Sequence, residues 1–86
     1  MAVRFSEHAE GRLLSRGTSR EEIVKVLTNG LPDLATSGRS AKSMIFPFGK
    51  RWGVKTFEQK KVKVIFVIEG DDTLVITVYV YYGSWQ

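Results

Sequence analysis

The spacing of polar and apolar positions changes once along this chain, between Gly30 and Ser43. Before the break, apolar side chains recur every three or four residues. After it they alternate. Phe5, Ala9 and Leu13 stand four residues apart and form one stripe of a helix. That helix is predicted to start at Ser6, whose hydroxyl can accept from a free backbone N–H, with Glu7 at the positive end of the dipole. Gly17, able to adopt the left-handed conformation, closes it. In Thr18-Ser19-Arg20-Glu21-Glu22, Ser19 and Glu22 fit a capping box, and Ile23, Val26 and Leu27 share a face of a second helix. Glu21 stands four residues before Lys25, and Asn29-Gly30 with Pro32 ends the element. The two helices make a hairpin with a very short joint. Their apolar faces are too small to stand alone and need a sheet to cover.

Gly30 to Lys42 is polar, lacks a period and is expected to be the most mobile connection. Strands follow. Met44-Ile45-Phe46-Pro47-Phe48 contains a proline that cannot donate to a ladder, so it belongs at a sheet edge or a bulge. Gly49-Lys50-Arg51 reads as a turn, Trp52 to Glu58 as an alternating strand, and Gln59-Lys60 as its return. Then Val62, Val64, Phe66 and Ile68 face one way, while Lys61, Lys63, Ile65 and Val67 face the other. After a turn at Gly70-Asp71-Asp72, the last strand places Leu74, Ile76, Val78 and Val80 on one side. Thr73, Val75, Thr77, Tyr79 and Tyr81 lie opposite. The expectation is one α+β domain over residues 1–86: two N-terminal helices packed on a four-stranded antiparallel β-meander, with room for a short first strand at Ala2 to Arg4. The face away from the helices should carry Lys63, Thr77, Tyr79, Tyr81 and Lys55.

Composition narrows the function classes. The 86 residues, 43% hydrophobic and 26% charged, suit one small globular domain rather than a disordered chain. There is no cysteine, which removes disulfides, thiol catalysis and the usual zinc ligands. A metal site would need carboxylates around the one histidine, and no such spacing is present, so neither metal nor cofactor is expected. A formal charge of +4 and a pI near 9.6 point to a polyanionic partner such as nucleic acid, or to an acidic protein. The N-terminus lacks the apolar core of a signal peptide, and Glu69-Gly70-Asp71-Asp72 interrupts the longest C-terminal apolar run. A cytoplasmic chain with no membrane partner is expected.

His8, Arg12 and Arg16 repeat at four-residue spacing beside the apolar stripe of the first helix, which sets the imidazole at the margin of the buried face next to two guanidiniums. This set suits RNA cleavage without metal. There a 2′-hydroxyl attacks the adjacent phosphate and requires a base, an acid and cations for the developing charge. Imidazole exchanges protons near neutrality, so His8 can serve as base or acid. Arg12 and Arg16 can hold phosphate oxygens bidentately, Thr77 can donate to one, and Tyr79 can donate likewise or stack on a base. Lys55 and Lys63 on the sheet, with Arg39 and Lys42 in the connection, are candidate phosphate contacts. The plainer alternatives stay open. His8 can be a boundary residue satisfied by a carbonyl, Arg12 and Arg16 solvated cations near a helix C-terminus, and Thr77 and Tyr79 ordinary strand formers. Trp52 and Trp85 read as packing residues, Trp85 also as a handle for a partner.

Phe5-Ser6-Glu7-His8-Ala9, then Arg12-Leu13-Leu14-Ser15-Arg16-Gly17 and Ser19-Arg20-Glu21-Glu22-Ile23, resemble the opening of a small bacterial family of unknown function, group 4258. Val75-Ile76-Thr77-Val78-Tyr79 fits its ending. Such domains look like relatives of the RelE, ParE and BrnT toxins, small basic proteins with N-terminal helices on an antiparallel sheet. The resemblance implies a toxin-type ribonuclease neutralised by an antitoxin protein, with His8, Arg12, Arg16, Thr77 and Tyr79 as its site. The alternative is a non-catalytic module that binds RNA or protein. An exposed edge at Met44 to Phe48 also offers a route to a homodimer.

Overall fold

The computed structural model describes residues 2–85, and among these there are two helices and one five-stranded sheet. In chain order the elements are β1 (Val3–Phe5), α1 (Glu7–Arg16), α2 (Arg20–Asn29), β2 (Leu31–Pro32), β3 (Ser40–Trp52), β4 (Lys55–Glu69) and β5 (Asp72–Gly83). Across the sheet the order is β1-β5-β4-β3-β2. The α+β class is as expected, but the sheet is mixed: β1 runs parallel to β5, and the other neighbours are antiparallel. The first strand lies at Val3–Phe5, one residue later than the sequence suggested. A further short strand, β2, forms inside the connection expected to be irregular, pairing Leu31 with Ser43 and Pro32 with Lys42. None of the helices among the described residues is long and apolar enough to cross a membrane.

Both helix caps form where the sequence places them. Ser6 Oγ accepts from Ala9 N at 3.1 Å, and Ser19 Oγ accepts from Glu22 N at 3.3 Å. Gly17 has φ +82°, and its N–H meets the carbonyls of α1's last turn. A Cβ here would also stand 2.9 Å from the Trp52 ring, so the joint tolerates only glycine. The capping box is only half made. The Glu22 carboxylate turns away from Ser19 and accepts from Thr18 Oγ1 and Lys60 Nζ instead.

Three long strands replace the expected four. Gly49, with φ +60°, is not a turn but part of a bulge: Pro47 pairs with Gln59 and Lys50 with Phe57, so β3 gains one residue on β4. The strand continues to Trp52, and the chain reverses at Gly53-Val54. Gln59-Lys60 is likewise no return. Lys60 lies mid-strand because its ammonium is satisfied inside, by Gly17 O at 2.7 Å and Glu22 Oε1 at 2.8 Å. A second bulge breaks the alternation of β5. Ile65 pairs with Thr77 but Phe66 with Val75, leaving Ile76 as the extra residue. Beyond it the faces exchange: Thr73 and Val75 join the buried side, and Leu74 the other.

The helices cover one face. Ala9, Leu13, Ile23 and Val26 bury against Phe46, Val62, Val64, Phe66, Val75 and Val78. The α1 helix lies on β5 and α2 on β4 and β3, leaving the opposite face without a helix.

Candidate functional site

The pairing of β1 stops at Val75, so the rest of β5 has no strand on that side. There α1 begins. Ser6 N donates to Val75 O at 2.9 Å and Ser6 Oγ to Ile76 O at 2.8 Å, fixing the helix start on the bulge. At its other end Tyr82 OH donates to Arg16 O at 2.7 Å. The helix therefore runs along the open edge of β5 from Val75 to Tyr82, carrying the His8, Arg12 and Arg16 row beside it. His8 sits in the first turn, exposed, and its Nε2 shares a 3.0 Å hydrogen bond with Thr77 Oγ1 whose direction follows the ring tautomer. The bulge at Ile76 is what presents Thr77 here, since bulges re-aim the side chains that follow them. Among the described residues neither guanidinium of Arg12 or Arg16 takes part in a salt bridge.

Thr77 also lines a hollow of about 310 Å³ on the helix-free face, together with Lys63, Ile65 and Tyr79 of the sheet. Its other wall is the connection between β2 and β3, at Leu34, Ala35, Thr36 and Arg39. The start of that segment is anchored at Asp33. Asp33 N donates to Ala41 O, and the Asp33 carboxylate lies 3.6 Å from Lys61 Nζ and 3.9 Å from Lys63 Nζ. A hydrogen bond from Leu34 N, with further help from Ser43 and the two lysines, holds the Asp33 carboxyl below the usual carboxylate range. Asp33 went unnoticed in the sequence. A single acid in a polar stretch gives no local sign that two lysines thirty residues on will meet it.

The remaining candidates separate. Arg39 and Lys63 reach the hollow with Thr77 and Tyr79. Lys42 does not: it points to the helix side and donates to Leu27 O at 2.8 Å, satisfying a carbonyl at the end of α2. Lys55 opposes Trp52 at the tip of the β3–β4 hairpin, roughly 30 Å along β4 from Thr77's partner Ile65. The Trp52 ring stacks on Tyr82 with centroids 4.8 Å apart, and Phe48 and Phe57 complete the cluster, so Trp52 is a packing residue. Burial, and next the Glu22 charge, push the Tyr82 hydroxyl above its ordinary range.

A family model described as a domain of unknown function, DUF4258, matches residues 5–80. The chain belongs to the DUF4258 family. Neither a curated protein nor a solved structure matches it. The DUF4258 span takes in His8, Arg12, Arg16, Thr77 and Tyr79, and ends before Tyr82 and Trp85. In this DUF4258 domain, then, one imidazole and one hydroxyl are in direct contact at an open strand edge, and the same helix carries two guanidiniums with no salt bridge among the described residues. Proton transfer and anion binding are the chemistry such groups can perform. Among the described residues there is no group of three or more His, Asp or Glu side chains able to hold a metal ion.

Proposed function

We propose that this DUF4258 domain is a metal-independent endoribonuclease of the toxin–antitoxin type, acting in the cytoplasm. The observation that carries the reading is the contact of His8 with Thr77 at an accessible edge, on a helix whose Arg12 and Arg16 have no carboxylate partner among the described residues. The resemblance of the sequence to RelE, ParE and BrnT toxins supports it. In this reading the RNA 2′-oxygen attacks the adjacent phosphorus and the 5′-oxygen leaves, giving a 2′,3′-cyclic phosphate and a 5′-hydroxyl. His8 takes the 2′-hydroxyl proton or supplies one to the leaving oxygen, and water serves at the other end. Thr77 donates to a phosphate oxygen, Arg12 and Arg16 meet the charge of the phosphorane, and Tyr79 holds the neighbouring base. An acidic antitoxin fits the same cations.

The test is cleavage of a synthetic RNA in EDTA, alone and on ribosomes, by the wild-type chain, His8→Ala and Arg12→Ala. General acid–base catalysis is worth about 10²–10⁴-fold, and His8→Ala should lose that much. Arg12→Ala should lose less and also bind more weakly. Equal cleavage by all three, or none by any, removes the ribonuclease reading. A second reading, non-catalytic RNA binding, is favoured by the lysines and tyrosines of the helix-free face. It expects affinity that falls steeply with salt and no cleavage products.

A further inference from the structure

On the helix-free face the strand register sets each tyrosine of β5 directly beside a lysine of β4: Tyr79 opposite Lys63 and Tyr81 opposite Lys61. Both rings are exposed, at 44% and 48%. The row begins at Thr77, where His8 contacts it, and leads past the hollow described above into a second of about 290 Å³. Lys61, Lys63, Tyr81 and Trp85 line that second hollow, and Asp33 closes it from the connecting segment. From Thr77 to Gly83 the row spans roughly 20 Å of strand.

Aromatic faces that alternate with ammonium groups suit one class of polymer. Unpaired bases stack on rings whatever their sequence, and the backbone between them meets the cations. A duplex offers no base faces to Tyr79 or Tyr81. We propose that this face is a binding track for single-stranded RNA. Its bases stack on Tyr79, Tyr81 and Trp85, its phosphates meet Lys63 and Lys61, and Asp33 is the internal anion those phosphates displace. The proposal rests on the ribonuclease reading for the identity of the polymer and goes beyond it in naming the strand state, the path and the competing group. Asp33 is a weak hold by its geometry. Its oxygens lie at 3.6 and 3.9 Å from the two ammonium groups, at the outer limit of an ion pair, whereas phosphate can approach each lysine at about 2.8 Å. Removing the Asp33 charge should therefore tighten binding, the opposite of what loss of a structural contact does.

The experiment measures fluorescence anisotropy of a labelled 12-nucleotide RNA of mixed sequence, and of a hairpin duplex, in EDTA on the His8→Ala background so that nothing is cut. The single strand should bind at least tenfold more tightly than the duplex. Tyr81→Ala should weaken it about tenfold, and Tyr81→Phe, which keeps the ring, should restore it. Asp33→Asn keeps an acceptor for Leu34 N and should tighten binding several-fold. Glu21→Gln, an exposed charge removed from α2, should leave it unchanged. Thermal melts of each variant report on folding independently. Equal affinity for duplex and single strand, or no response to Tyr81→Ala and Asp33→Asn, overturns the track. If the wild-type chain cleaves RNA while those variants bind like their parent, the track is wrong and the ribonuclease reading stands. If the binding pattern holds and nothing is cleaved, the track stands without the nuclease.

Discussion

Lys60 and Lys61 are neighbours on β4, and their surroundings differ completely. Lys60 faces the helices with its side chain 8% exposed, 2.8 Å from Glu22 and 2.7 Å from Gly17 O. Lys61 faces the helix-free side, 32% exposed and 3.6 Å from Asp33, with Lys63 two residues on in the same position toward the same acid. The first pair is tight, and the nearly buried Lys60 donates to both Glu22 and the Gly17 carbonyl, a scaffold contact. The second is long: both ammonium groups stand beyond hydrogen-bond reach of the acid, with Lys61 32% exposed, Lys63 18% and Asp33 21%. Alternation along one strand thus sets the same residue type in a close contact under the helices or in a long ion pair on the helix-free face, where the proposed track lies.

The largest effect that sharpens this contrast lies on the covered side. Ile23 is fully buried between α2 and the sheet, and Ile23→Ala should cost about 2–5 kcal/mol in urea unfolding. Next comes Lys60→Ala, which leaves the Glu22 carboxylate with Thr18 Oγ1 but no counter-charge and takes the ammonium from the Gly17 carbonyl. Because Glu22 keeps 25% exposure, the cost should be about 2–3 kcal/mol, below that of a fully buried pair. Lys63→Ala on the other side breaks only a 3.9 Å pair and should cost about 1 kcal/mol in the same assay, less than Lys60→Ala, while weakening RNA binding. Equal losses for Lys60→Ala and Lys63→Ala would break the division between the two faces.

The pH dependence gives the smallest and most local signal. The Asp33 carboxyl is held low in the fold, so its stabilisation is complete above the ordinary carboxylate value of about 4 and fades as pH falls below it. Asp33→Asn should flatten that acid limb in thermal melts. The Tyr82 hydroxyl is held high, so its contribution is present below the ordinary tyrosine value of about 10 and lost as pH climbs past it. Tyr82→Phe should remove the alkaline limb, together with the modest loss of the bond to Arg16 O.

Local signals were legible without coordinates. Ser6, Ser19 and Gly17 act where their side-chain chemistry and backbone freedom place them, because capping is settled within one helical turn. The two faces of β4 from Lys61 to Val67 follow from alternation, and the four-residue spacing of His8, Arg12 and Arg16 marked a polar row on α1. That row's relation to Thr77 was not readable from spacing, since it depends on where β1 stops and α1 starts along β5.

Whatever depends on residues within one turn or one strand of each other, the amino-acid order alone determined: helix limits, the alternation from Lys61 to Val67, and an α+β class. Tertiary structure decided the rest. The bulges at Ile76 and near Gly49 shift the ladder by one residue, and a period of two carries no mark of such a shift until a partner strand is in place. The parallel pairing of β1 and the meeting of Asp33 with Lys61 and Lys63 join segments distant in the chain. Such contacts form only after the sheet has closed, which is why local chemistry could name the groups but not bring them together.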